Sequence, residues 1–75
     1  SSVLVIWDAG THLEKLKKFN FVINEVDCYD NKAITIELSN PLEAFELMEK
    51  INSIEYPPIM EVYDKGSKLS DNIES

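Results

Sequence analysis

The chain reads as an α+β domain whose elements run strand, helix, strand, strand, helix, strand, and three observations predict that order. An apolar run opens the sequence from Ser2 to Trp7, helix-start signals stand at Thr11 and at Asn40-Pro41, and period-two alternation flanks Asp30-Asn31. Together these elements use nearly every residue between Ser2 and Asp64.

Val3 to Trp7 is a continuous β-branched and aromatic run, which predicts a central strand buried on both faces. It ends at Asp8-Ala9-Gly10. Thr11 with Glu14 forms a capping-box pattern, so a short helix is expected from His12 to about Phe19, burying Leu13, Leu16 and Phe19. From Phe21 to Tyr29 the residues alternate, with Val22, Val26 and Cys28 expected toward the core and Phe21, Ile23, Glu25, Asp27 and Tyr29 outward. Asp30-Asn31 suits a tight turn, and Ala33 to Leu38 completes the hairpin with Ile34, Ile36 and Leu38 inward.

Asn40-Pro41-Leu42-Glu43 combines an N-cap, a proline at the first helical position and an acid in the first turn. The helix is expected from Pro41 to about Ser53, with Leu42, Phe45, Met48 or Leu47, and Ile51 as its apolar stripe. Tyr56-Pro57-Pro58 predicts an extended connection. Ile59 to Tyr63 is the last strand, with Met60 and Val62 inward. The order βαββαβ is that of the ferredoxin-like two-layer sandwich, a four-stranded antiparallel sheet of order 4-1-3-2 with two helices on one face. Residues 1–64 form this single domain and 65–75 a polar C-terminal tail that frays or docks weakly.

Composition narrows the function classes. Fourteen acidic residues stand against seven Lys and no Arg, for a net charge of −7. Without the guanidinium best suited to phosphate and guanine, direct nucleic-acid binding is not expected. One cysteine and one histidine supply neither a disulfide nor a zinc set, so no cofactor or metal is expected and a reducing, cytoplasmic setting is. The longest apolar run is too short for membrane insertion.

The sites that could carry chemistry each have a plainer reading. Asp8-Ala9-Gly10-Thr11 is a strand-to-helix loop where an anion could bind, but it holds one glycine, no adjacent cation and a repelling Asp8, and it reads better as a turn and cap. His12 reads as a surface histidine at a helix start, and Cys28 as a buried, inert thiol. The oxygen donors Glu25, Asp27, Asp30 and Asn31 lack EF-hand spacing. No catalytic residues are assigned, and an enzyme is not expected.

The open sheet face carries the leading expectation. Phe21, Ile23, Tyr29, Ile59 and Tyr63 are expected there, around Val3, Val5 and Trp7 or Leu4 and Ile6, making an apolar surface for a protein partner or a second copy of the chain. The competing reading is that the tail covers it through Leu69 and Ile73. A second function class is an acidic inhibitor of phage or plasmid type, whose Glu25, Asp27, Asp30, Glu43, Glu46 and Glu49 mimic a phosphate row on a basic surface. A third is a small-molecule-sensing regulatory domain, with a metabolite held at a dimer seam near Asp8 to Thr11.

Asn40 to Asn52 (NPLEAFELMEKIN) and the tail Gly66-Ser67-Lys68-Leu69-Ser70-Asp71-Asn72-Ile73, taken with the order of elements, resemble the small accessory domain that follows the nucleotide-binding domain in some bacterial ABC-transporter ATPase subunits. That resemblance implies a regulatory or dimer-contact role without catalysis, in a domain excised from a larger chain. No phosphate-binding lysine motif is present for ATP hydrolysis.

Overall fold

Alternation in the first strand decides how the layers stack. The computed structural model describes residues 1–19, 24–28 and 31–72. In β1 (Ser2–Ile6), Ser2, Leu4 and Ile6 are buried, whereas Val3 and Val5 are half-buried. The run is therefore central, but it is buried on one face only and not on both, contrary to the expectation from its composition.

Five strands are seen among the described residues: β1, β2 (Asn24–Cys28), β3 (Asn31–Leu38), β4 (Met60–Asp64) and β5 (Ser67–Asp71). They form one sheet in the order β2-β3-β1-β4-β5, every neighbouring pair antiparallel. The ladders bring Leu4 between Ile36 and Val62, and Ile6 between Ile34 and Met60. Onto these two rows pack Leu16 from α1 (Leu13–Leu16) and Ala44 and Ile51 from α2 (Pro41–Asn52), completing one buried cluster. Each fully buried Leu or Ile there contributes about 1.5–3 kcal/mol relative to exposure. Both helices thus cover the same face.

The two helices arise differently. In α2 the Asn40 side chain accepts from the Glu43 amide at 3.0 Å, Pro41 fills the first helical position, and Glu43 reaches back to the Ser39 amide at 3.3 Å. Replacing Asn40 with Ala is expected to cost about 1 kcal/mol, and Asn40→Asp much less, as read by thermal melting. The stripe matches the expected one at Phe45, Leu47, Met48 and Ile51, gains Ala44 and lacks Leu42. Ala44 and Ile51 are buried with Phe45, Leu47 and Met48 against them, while Leu42 is 65% exposed.

The first helix is shorter than its capping-box pattern implied. A 3-10 turn (Ala9–Thr11) takes in Thr11, α1 follows from Leu13, and a second 3-10 turn (Lys17–Phe19) ends the segment. Asp8, left-handed at φ 51°, occupies the cap position instead, and Glu14 pairs with Lys17 at 3.8 Å. Leu16 is buried and Phe19 packs against the core, as the spacing predicts.

Four further expectations are revised. Residues 65–75 include a strand and not only a polar tail: Asp64 pairs with Ser67 across Lys65 (φ 52°) and Gly66 (φ 82°), the geometry of a type I′ hairpin turn, and β5 runs on to Asp71. Asn72 then locks the end. Its side chain accepts from the Met60 amide at 2.8 Å and donates to Pro58 O at 2.7 Å and Asn52 Oδ1 at 2.9 Å.

In β2 the register stands opposite to the expected phase, with Val26 across from Ala33 and Cys28 across from Asn31, while Glu25 is across from Ile34. Period two leaves the absolute phase open, and a one-residue slip reverses it. Asn31, expected in the turn, already belongs to β3; Asp30 lies outside the described residues. Finally, Tyr56 takes φ 54° where an extended residue was expected before Pro57.

Candidate functional site on the open sheet face

The strand residues that point away from the helices include Val3 and Val5 of β1, Ala33, Thr35 and Glu37 of β3, and Glu61 and Tyr63 of β4, and of these Ala33 is almost fully buried. Val3 lies between Glu37 and Tyr63, and Val5 between Thr35 and Glu61. Trp7 extends this face, its backbone amide donating to Ile59 O at 2.9 Å. A fully apolar strand carries no phase, so only the fold could decide the side of Trp7.

Glu61 organises the β4 edge of the face. The Trp7 indole Nε1 donates to its Oε1 at 2.8 Å, the Tyr63 hydroxyl donates to the same oxygen at 3.2 Å, and Lys68 Nζ lies 3.3 Å from Oε2. Lys68 also holds Asp71 Oδ2 at 2.9 Å. The register explains the convergence, since β5 sets Asp71 opposite Glu61 and Lys68 opposite Tyr63, with an irregularity at Val62/Tyr63.

The Trp7 indole holds the Glu61 carboxyl below its ordinary value, helped by Lys68 and Tyr63 and opposed by burial. Desolvation, then the bond to Glu61, raises the Tyr63 hydroxyl. Asp71 first and Glu61 second raise the Lys68 ammonium. The polar tips of both aromatics are thereby tied down while the rings stay on the face.

Beside Trp7 lies a cleft of about 180 Å³ lined by Trp7, Asp8, His12, Pro57, Pro58 and Ile59. His12 has a buried Nδ1 without a hydrogen-bond partner. Asp8 and Tyr56, at the cleft and next to Pro57, are both left-handed.

Of the five expected apolar anchors, Ile59 and Tyr63 are placed two residues either side of Glu61. Ile59 is 52% exposed and Tyr63 half-buried. Phe21, Ile23 and Tyr29 lie outside the described residues. Leu69 is exposed on the edge strand, and Ile73 lies outside the described residues.

Among the acids, Glu43, Glu46 and Glu49 are exposed on α2, in the layer away from this face. Glu25 and Asp27 have backbone positions in β2, but their side chains, like that of Cys28 and all of Asp30, are outside what is described. The Glu61 hub was not foreseen. Its signal was an acid in the middle of an otherwise apolar strand, with a lysine seven residues on, across a Lys-Gly turn.

Among the described residues no group of three His, Cys, Asp or Glu could hold a metal ion, and no helix is long and apolar enough to cross a membrane. No family model, curated protein or solved structure matches this chain.

Proposed function

We propose that this chain is a non-enzymatic protein-interaction or regulatory module that works through the open face of its sheet, with a second copy of itself as the first partner. The observation that carries the reading is the one-sided placement of the helices. α1 and α2 both bury residues in the cluster around Leu4 and Ile6, while Val3, Val5, Trp7, Ile59 and Tyr63 stand on or beside the other face, partly open to solvent. The Glu61 bonds support the same reading, because they fix two aromatic rings in advance and lower the entropy lost when a partner docks.

The strand order also supports a ferredoxin-like arrangement. Leaving β5 aside, it runs 4-1-3-2, and we read the Lys65-Gly66 hairpin as an addition at one edge. A regulatory or dimer-contact role is what the accessory-domain resemblance implies as well. That the working setting is the cytoplasm belongs to this proposal.

Light scattering across a concentration series, at low and high salt, tests it. A salt-resistant dimer near twice 8.6 kDa is expected, and Val5→Lys is expected to return it to monomer with the fold retained. A monomer at every concentration and salt would remove self-association.

A second reading has its own observation. Glu43, Glu46 and Glu49 recur every three residues along the exposed flank of α2, a spacing that lines up their side chains. Such a row suits an acidic inhibitor of a basic surface, although Lys50 interrupts it. Binding by this row would weaken steeply with salt, and binding by the apolar face would not.

A further inference from the structure

β5 is attached to the sheet by its backbone and by polar side chains, without a share of the core. The buried cluster draws on β1, β3, β4 and the helical segments, and no residue of β5 enters it; Ser67, Lys68 and Leu69 are exposed, Ser70 and Asp71 half-buried. What holds the strand is its ladder to β4, Lys68 on Glu61, and Asn72, whose side chain bonds the Met60 amide, Pro58 O and Asn52 Oδ1 and whose amide donates to Met60 O at 3.2 Å. Releasing β5 breaks no contact within the buried cluster.

The turn that returns the chain to β4 is the strained point. Lys65 and Gly66 both take positive φ, 52° and 82°, in a loop of only two residues. Glycine adopts that region freely, whereas a residue with a Cβ is disfavoured there, and short hinge loops under strain favour exchange of the element they carry. Opening the turn would straighten the chain from Met60 to Asp71 and relieve Lys65.

The register decides what an opened β5 can pair with. Asp64 stands opposite Ser67. One further step along the same ladder sets Lys65 of one copy against Gly66 of a second, and the glycine has no side chain to meet the lysine. Two opened chains therefore suit one antiparallel ladder running through both hinges, with each β5 on the other copy's β4. The bonds of Lys68 to Glu61 and of Asn72 to Met60, Pro58 and Asn52 can all be remade there, because the second chain offers identical groups. We propose that the Lys65-Gly66 turn is a hinge through which two copies of this chain exchange β5, forming a dimer joined at the β4 edge. This association does not rest on the open face of the sheet.

At Gly66 an added Cβ would meet nothing within 4 Å, so Gly66→Ala loads the turn through backbone conformation alone. The full chain is held at millimolar concentration just below its Tm, chilled, diluted and read by light scattering. A dimer that survives dilution in the cold is expected, since return to monomer requires β5 to open again. Both turns of a dimer are relieved, so Gly66→Ala is expected to raise the dimerisation constant roughly thirtyfold or more. Lys65→Asn makes the favoured Asn-Gly turn and is expected to lower it roughly threefold to tenfold. Asp64→Cys with Ser67→Cys, in a Cys28→Ser background oxidised after the incubation, locates the strand. Disulfides between chains are expected, keeping the denatured mass near twice 8.6 kDa until reduction.

A native chain and a Gly66→Ala chain that both stay monomeric after the incubation would overturn the proposal. So would disulfides confined within single chains, or the same dimer fraction in all three turn sequences. Val5→Lys, aimed at a dimer held by the open face, is expected to leave the exchanged dimer intact. Loss of the dimer in Val5→Lys would assign it to that face and overturn the exchange, so the two readings fail separately.

Discussion

Replacing Leu4 with Ala is expected to lower stability by about 2–5 kcal/mol. For a domain of this size that corresponds to a fall in Tm of roughly 4–8 °C per kcal/mol. Leu4 is fully buried in the central strand, between Ile36 and Val62 and under the helices, so truncation leaves a cavity lined from several elements. Small domains hold only about 5–15 kcal/mol in total, so a substantial unfolded fraction is expected at physiological temperature. Val5→Ala, one residue on and on the half-open face, is expected to cost much less. Thermal melts of the pair test the two-faced reading of β1, and equal losses would mean that both faces of the strand are buried.

Truncating Glu61 to Ala is expected to cost about 1–3 kcal/mol, because the Trp7 indole and Tyr63 hydroxyl lose their acceptor and Lys68 one of its two partners. Glu61→Gln keeps an oxygen for Trp7 and loses the charge that holds Lys68, so a smaller loss is expected. The pH dependence separates charge from shape. The folded-state pKa of Glu61 is depressed below 4.5, so its contribution is fully present above that value and is lost as pH falls through the lower folded pKa.

The stability gap between the native chain and Glu61→Gln is therefore expected to close below pH 4.5 and to hold near neutral pH. Lys68 acts in the opposite sense. Its raised pKa stabilises the fold below 10.5, and that support is lost as pH rises through the folded value. Denaturant melts across both windows, with Trp7 fluorescence as the local probe, check this. A gap that stayed constant through the acid window would mean that Glu61 acts through shape alone.

Local chemistry made much of the fold legible. Asn40-Pro41 marked the start of α2 because capping is decided within four residues, and Ile34, Ile36, Met60 and Val62 were placed inward because alternation needs only the strand's own sequence. The register of β2 was not legible, since reversing it changes no local preference. The hairpin that adds β5 was missed because Lys65 is an unusual residue for a left-handed position; only Gly66 hinted at the turn.

At the candidate site, Ile59 and Tyr63 could be singled out as apolar residues of the last strand. That Glu61 between them binds Trp7, Tyr63 and Lys68 depended on pairings 54 and 2 residues apart and on a strand the sequence concealed. The cleft is of the same kind, assembled from Trp7 to His12 and from Pro57 to Ile59, segments that meet because Trp7 bonds the Ile59 carbonyl. By itself the sequence determined what most segments prefer: the first four strands but not β5, where α2 begins, that the chain is acidic and that it has no arginine. Only the tertiary structure decided which face Trp7 occupies and which acid it meets, because those depend on the register between distant strands.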